Sequence, residues 1–158
     1  MKKTLIILAI FSCSLLFSQT KSETEEWITE TYHKFNTINP NYDLYFENNY
    51  LYYRYIGVNF REMVMRVKVK DISKIEIRQE GRKGVKDYAN VYIYFKKEKY
   101  QLKFDEDDSF TTHNVYTKFA ISITPDLIKD GYKKRMEKAF IHLVKLNGGN
   151  ASVKQEAF

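Results

Sequence analysis

Cysteine is almost absent from this sequence, since Cys13 is the only one among 158 residues. A single cysteine excludes an internal disulfide, a cysteine-rich zinc site and a redox-active pair of thiols. Proline occurs twice and glycine six times, which is too little for a collagen-like or low-complexity chain. The protein must therefore be stabilised by a hydrophobic core, and its 13 tyrosines and 11 phenylalanines provide large side chains for one.

Motifs that carry catalysis or bind metals are also missing. The patterns HExxH, GxSxG and GxxxxGK do not occur, and the three histidines are far apart in the sequence. The acidic segment 105–109 begins like a calcium-binding loop. However, Phe110 stands where that loop needs glycine, and Tyr116 stands where it needs glutamate. The sequence therefore predicts a protein with no metal, no cofactor and no enzymatic activity.

Basic residues exceed acidic ones without being concentrated in one place. The formal net charge is +6, and Lys2 and Lys3 near the N-terminus contribute two of these charges. Proteins that bind nucleic acids usually carry a basic stripe, so we expect no nucleic-acid partner. The most basic loop contains Arg82, Lys83 and Lys86. These side chains are candidates for weak contact with an anionic membrane, a polysaccharide or an acidic protein, and the alternative is a solubilising hairpin loop.

The first 18 residues have the pattern of a secretory signal peptide. Two lysines precede an apolar run that ends at Phe17, and the small residue Ser18 follows. The run is too short to span a membrane. We predict cleavage between Ser18 and Gln19 and export to the periplasm or the medium. The alternative is a lipoprotein processed at Cys13. The ending Phe-Ser-Gln resembles the signals of Bacteroidetes-type exported proteins.

Two segments have the spacing of amphipathic helices. Ser22 is a suitable N-cap for the first helix, which carries the only tryptophan on its apolar face and ends near residue 36. The second helix is predicted over 124–146, with Thr124 as N-cap, Pro125 as first helical residue and a glycine pair after its end. Its apolar stripe predicts that it covers a sheet and consists of Ile128, Tyr132, Met136, Ala139, Phe140, Leu143 and Leu146.

Seven strands are predicted between these helices, because apolar residues there alternate with period two. A tight turn at Asn48 and Asn49 joins the first two strands. Residues 19–147 are expected to form a single α+β domain, and residues 148–158 a flexible C-terminal tail. The predicted strands are 42–47, 50–56, 63–70, 75–79, 91–95, 100–104 and 114–123.

The order of about seven antiparallel strands and one C-terminal helix resembles the pleckstrin-homology-like superfold. The segment Val67–Ile77 is similar to the strand, Asp-Ile turn and strand of bacterial PH-like and GRAM-like domains. The resemblance implies a bent barrel or sheet covered by the C-terminal helix, here with an extra N-terminal helix. Only Arg54 lies near the first hairpin turn, so a phosphoinositide role is not implied. The alternative fold is an antiparallel sheet with both helices on one face.

Tyrosines on the solvent side of the strands are the main candidate binding residues. Alternation places Tyr45, Tyr52 and Arg54 outward on the first hairpin, and Tyr92 and Tyr94 outward on the fifth strand. Tyrosine and arginine are enriched at protein interfaces, although outward tyrosines also support strand pairing. We predict an exported non-catalytic module that binds an envelope or extracellular protein, a peptide or a glycan. The alternative is an enzyme, or an enzyme accessory, whose site is assembled from scattered residues.

Overall fold

The structure is a computed structural model that describes residues 19–37, 40–57, 61–81, 88–96, 99–105, 107–113 and 116–153. The predicted signal peptide lies outside these ranges. Within them, the helices are α1 (Lys21–Phe35), α2 (Asp126–Lys129) and α3 (Tyr132–Leu146). The strands are β1 (Tyr42–Glu47), β2 (Tyr50–Ile56), β3 (Glu62–Lys68), β4 (Ile72–Glu80), β5 (Tyr88–Phe95), β6 (Tyr100–Phe104), β7 (Thr111–His113), β8 (Lys118–Ile123) and β9 (Ser152–Val153). The predicted α+β class is confirmed.

The described strands form two sheets that do not close into a barrel. One sheet has five strands in the order β1-β2-β3-β6-β7, and the other has four in the order β8-β5-β4-β9. Neighbouring strands are antiparallel except for β4 and β9. The sheets separate where the 3₁₀ turn Val69–Asp71 directs the chain away from β3. The hairpin of β4 and β5 then belongs to the four-stranded sheet, and β6 returns to pair with β3.

The inner faces of both sheets and all three helices share one hydrophobic core. Tyr53 of β2 stacks on Phe119 of β8 with ring centroids 5.7 Å apart, which joins the two sheets. Helix α1 packs on α3 and β1, while α3 packs on β4. Phe140 of α3 is fully buried, as the apolar stripe predicts. Leu146 ends the predicted stripe but is 46% exposed, because it lies in the last turn of α3 beyond the core.

Helix α1 begins at an earlier cap than predicted. Thr20 accepts a hydrogen bond from the backbone N–H of Glu23 at 3.2 Å, and the Glu23 carboxylate accepts one from the Thr20 backbone at 2.7 Å. This is a capping box, so the prediction of Ser22 as N-cap is wrong. Thr20 and Ser22 are each followed by a glutamate three residues later. Glu25 instead lies 3.7 Å from Lys21 within the helix.

The C-terminal helix is interrupted where the sequence analysis predicted continuity. Gly131 has φ of +73°, a left-handed conformation that glycine adopts without steric cost. Its N–H donates to the Ile128 carbonyl at 3.2 Å and helps to end α2. Neither Thr124 nor Pro125 begins the long helix, which starts at Tyr132. The short α2 buries Leu127, a residue outside the predicted stripe.

Two short strands at the sheet edges were not predicted. Strand β7 pairs with β6, and the predicted seventh strand begins only at Lys118. Strand β9 lies within the predicted flexible tail and pairs in parallel with β4. Gly149 approaches the Lys70 backbone so closely that a Cβ atom there would overlap it. Within the predicted flexible tail, residues 148–153 therefore contact residues that are distant in the sequence. Among the described residues, no helix has the length and apolar character needed to cross a membrane.

Candidate interaction surfaces

The outer face of the five-stranded sheet carries a stacked tyrosine pair. Tyr45 of β1 lies opposite Tyr52 of β2, and their rings stack with centroids 4.9 Å apart and 4° between the ring planes. Both residues point away from the core, as predicted. However, Tyr52 is only 7% exposed, because Phe110 and Tyr50 contact its ring. The outward Tyr52 is thus part of a small aromatic layer and not an exposed side chain.

Arg66 of β3 fixes this aromatic layer and was missed as a site residue. Its guanidinium carbon lies 3.7 Å from the Phe110 ring centroid and 4.6 Å from that of Tyr50. Its Nε donates a hydrogen bond to Gln101 at 2.7 Å. Alternation along β3 places Arg66 on the same face as Tyr52, which is its partner in the sheet register. That alternation was visible in the sequence, but the pairing of β2 with β3 was not.

Arg54 lies between two carboxylates on the same face. One guanidinium nitrogen is 3.3 Å from Asp43, and the other is 3.5 Å from Glu62. Asp43 also lies 3.2 Å from the imidazole of His33. Arg54 was predicted to bind a ligand directly, but its charge is largely compensated within the protein. It contributes shape and hydrogen-bonding capacity to this face rather than a free positive charge.

A groove of about 410 Å³ runs over this face. Its floor is aromatic, and Phe104 at its side is 50% exposed. Burial raises the pKa of Tyr45 above its ordinary value, so this hydroxyl remains protonated at neutral pH and can donate a hydrogen bond. The charged lining residues are of both signs. Among the described residues, the lining consists of Tyr45, Glu47, Tyr52, Arg54, Glu62, Val64, Lys103, Phe104, Asp105 and Phe110.

The outer face of the four-stranded sheet is organised around Glu76, which is only 4% exposed. Its carboxylate lies 3.0 Å from the Lys74 ammonium and 2.5 Å from Nε of Arg78, and it accepts a hydrogen bond from the Tyr94 hydroxyl at 3.0 Å. Burial would raise the pKa of Glu76, but the hydrogen bonds from these three side chains together lower it to about 2. Glu76 is therefore ionised at every pH where the protein is expected to work.

Tyr92, the second tyrosine of this face, is also hydrogen-bonded to a carboxylate. The Tyr92 hydroxyl donates to Glu80, whose other carboxylate oxygen accepts from Asn90 at 2.9 Å. Asn90 is buried and accepts from the Ser122 hydroxyl at 2.7 Å. The Lys118 ammonium lies 4.7 Å from the Tyr92 ring centroid. This network links β4, β5 and β8, and sequence reasoning found only its tyrosines.

The predicted site residues therefore divide between two surfaces. Tyr45, Tyr52 and Arg54 share the groove, whereas Tyr92 and Tyr94 belong to the other sheet. In the described part of the chain, no ring contact joins the two tyrosine pairs, which lie on different sheets. The remaining predicted residues, Arg82, Lys83 and Lys86, lie outside the described ranges.

The acidic segment after β6 stabilises a turn. Asp105 accepts a hydrogen bond from the Glu62 backbone at 2.5 Å, and Asp107 accepts one from the Phe104 backbone at 3.0 Å. Glu106 lies outside the described residues. Over the ranges that the structure describes, no three histidine, cysteine, aspartate or glutamate side chains are grouped closely enough to hold a metal ion.

A histidine and an aspartate do meet in a shallow cavity, as an enzyme assembled from scattered residues would require. His33 and Asp43 are its titratable pair, and the cavity measures about 350 Å³. The His33 side chain is 55% exposed, so it is poorly held for proton transfer. No serine, threonine or cysteine nucleophile is present in the described lining, which consists of His33, Asn36, Pro40, Asn41, Tyr42, Asp43, Arg54 and Ile56.

Comparison with protein-family models, with curated proteins and with solved structures finds no match for this chain.

Proposed function

We propose that this protein is an exported, non-catalytic binding module whose groove on the five-stranded sheet holds a segment of an envelope or extracellular protein. The observation that supports this proposal is the half-exposed Phe104 beside the stacked rings of Tyr45 and Tyr52. An aromatic residue exposed in a concave, aromatic-lined site is typical of the anchors that dominate binding energy.

The groove is organised before any partner binds. The stack of Tyr45 on Tyr52 and the contact of Arg66 with Phe110 already hold the aromatic floor. A rigid floor reduces the entropy lost on association, which is one of the main costs of binding. Side chains with two rotatable bonds, such as tyrosine, provide such contact area at low entropic cost.

The charges around the groove favour a peptide over a membrane or a nucleic acid. Glu47 and Asp105 line it together with Lys103, so the rim carries both signs. Anionic membranes and nucleic acids require clustered positive charge. A mixed rim instead suits a peptide, whose backbone and side chains supply both donors and acceptors.

The exported location is a part of the proposal that rests on the sequence. Its support is the pattern of the first 18 residues. The pleckstrin-homology-like relationship is likewise proposed, on the strength of the Val67–Ile77 motif and the C-terminal helix. The binding proposal does not depend on that relationship, since it rests on the groove alone.

The test uses a library of displayed random peptides and, in parallel, a native envelope extract. Peptides selected on the wild-type protein should bind the Phe104→Ser variant at least tenfold more weakly, because the exposed aromatic anchor is lost. The matched control is Tyr116→Ser, since Tyr116 is 54% exposed but does not line the groove. The control should bind within about twofold of wild type, as expected of residues outside a hot spot.

An envelope protein captured by the wild-type protein should show the same dependence. Equal losses in both variants, or no loss with Phe104→Ser, would exclude the groove as the binding site.

A further inference from the structure

A second concave site lies at the first hairpin turn and has a different character from the groove. It has a volume of about 540 Å³ and is bounded by the start of α1, the end of β3 and the end of α3. Of its described lining side chains, three are lysines, three are asparagines, and none is acidic. The lining consists of Lys21, Asn48, Asn49, Tyr50, Lys68, Lys70, Leu146 and Asn147.

The fold assembles this site from distant parts of the chain. Asn48 and Asn49 both have positive φ, as a two-residue hairpin turn of the primed type requires. The Asn49 carbonyl accepts a hydrogen bond from the Val69 backbone at 2.9 Å, which holds Lys70 beside the turn. Lys21 hydrogen-bonds to the Asn49 side chain. In the sequence only Arg54 lies near this turn, because these lysines become its neighbours only on folding.

The positive charge of this site is mostly uncompensated within the described chain. Lys21 lies 3.7 Å from Glu25, whereas no ion pair of Lys68 or Lys70 is found among the described residues. Several positively charged lysines that line one concavity create an electrostatic field that attracts an anion. The N-terminal end of α1 adds to this field and the C-terminal end of α3 subtracts from it.

An aromatic ring and a set of amides accompany the lysines. The Tyr50 ring is half-buried and has Arg66 4.6 Å and Lys68 5.6 Å from its centroid. The side chains of Asn48 and Asn147 provide both hydrogen-bond donors and acceptors, which suits hydroxyl groups. A simple inorganic anion would use the lysines but not the ring and the amide acceptors.

We propose that this site binds an acidic saccharide, with its carboxylate or sulfate groups on the lysines, its hydroxyls on the asparagine amides and one sugar face against Tyr50. The site is separate from the peptide groove, since the two share no lining residue within the part of the chain that the structure describes. This proposal therefore stands or fails independently of the proposed function.

The probe is a sulfated, uronic-acid-containing tetrasaccharide, and a neutral tetrasaccharide and inorganic pyrophosphate serve as comparisons. Calorimetric titration should show saturable binding of the acidic tetrasaccharide that weakens as salt rises. The neutral tetrasaccharide should not bind measurably. Pyrophosphate that binds as tightly as the acidic tetrasaccharide would overturn the saccharide assignment, as would the absence of binding by any of the three.

Substitutions test whether the acidic tetrasaccharide binds at this site. The double variant Lys68→Gln/Lys70→Gln should weaken acidic tetrasaccharide binding at least tenfold. Lys138→Gln/Lys145→Gln changes the net charge equally from two exposed positions outside the lining and should leave binding within about twofold. Tyr50→Leu should weaken the tetrasaccharide several-fold while leaving any weak pyrophosphate binding unchanged. Equal losses in the two double variants would mean that net charge alone drives binding, which would overturn the proposed site. Phe104→Ser, which changes the groove and not this site, is a further control and should leave acidic tetrasaccharide binding unchanged.

Discussion

The outer faces of the two sheets look alike in sequence and differ in structure. Each carries a pair of tyrosines that alternate with buried residues. On the four-stranded sheet, the hydroxyls of Tyr92 and Tyr94 are bonded to carboxylates of the same face. On the five-stranded sheet, Tyr45 and Tyr52 stack on each other and border a groove with an exposed phenylalanine.

The neighbours across the strands decide which tyrosines remain available to a partner. Glu76 of β4 lies opposite Tyr92 of β5 in the sheet register, and its carboxylate bonds to Tyr94, the next tyrosine on that face of β5. Tyr45 faces another tyrosine, so its hydroxyl has no carboxylate directly opposite. We therefore expect the four-stranded face to contribute to stability and the five-stranded face to binding.

The largest expected effect concerns the core beneath both faces and sets the scale for the rest. Phe140→Ala should lower the free energy of unfolding by about 3–5 kcal/mol, because it removes a fully buried side chain and leaves a cavity. Lys138→Ala, an exposed position in the same helix, should cost less than about 0.5 kcal/mol. Urea denaturation of both variants measures this. Similar small losses would show that α3 is not docked on the sheets.

The next largest effect is the loss of stability at acidic pH that we expect from Glu76 on the four-stranded face. The pKa of Glu76 falls from its ordinary value of 4.5 to about 2 on folding. A lowered folded-state pKa stabilises the protein above the unfolded-state value, and this contribution disappears as pH falls from about 4.5 towards 2. At about 1.4 kcal/mol for each pKa unit, the contribution is roughly 3 kcal/mol.

Glu76→Gln provides the control for this pH dependence. The variant should be less stable than wild type at pH 7, and the difference should shrink as pH is lowered through that window. Melting temperatures measured from pH 7 to pH 2 provide the comparison. A difference that stays constant with pH would mean that the stabilising charge lies elsewhere.

A smaller effect separates the tyrosines themselves. Tyr94→Phe removes a hydrogen bond to a buried carboxylate and should cost about 1.5 kcal/mol. Tyr45→Phe keeps the stacked ring and should cost less than about 0.5 kcal/mol, since no hydrogen bond from its hydroxyl to another described residue is found. Chemical denaturation of the two variants side by side gives both values. The comparison of the faces is wrong if Tyr45→Phe proves the more destabilising change.

The smallest effect on stability should come from the residue with the largest expected effect on binding. Phe104→Ser changes a half-exposed side chain outside the core cluster, so the free energy of unfolding should shift by no more than about 0.5 kcal/mol. A thermal melt checks this alongside the peptide-binding assay. A large loss of stability would make Phe104 a structural residue and remove the main support for the groove.

Local pattern was sufficient to predict much of this fold. Alternation correctly placed Leu44, Leu51 and Ile93 in the core and Tyr45 and Tyr94 outside it. Helical spacing correctly identified the face of Phe140. These predictions succeeded because side-chain direction in a strand or helix follows from backbone geometry alone.

What failed depended on contacts between distant residues. The break at Gly131 is the exception, since glycine can adopt the left-handed conformation without distant contacts, whereas β9 forms only because β4 is there to pair with it. The sequence by itself determined the α+β class, which strand residues face the core and which tyrosines face outward. Only the tertiary structure decided that Glu76 accepts a hydrogen bond from the Tyr94 hydroxyl and that Phe104 remains exposed beside Tyr45. It also decided that Lys21, Lys68 and Lys70 meet at one turn. Strand register and sheet order set those neighbours, and neither is encoded in the spacing of residues along one strand.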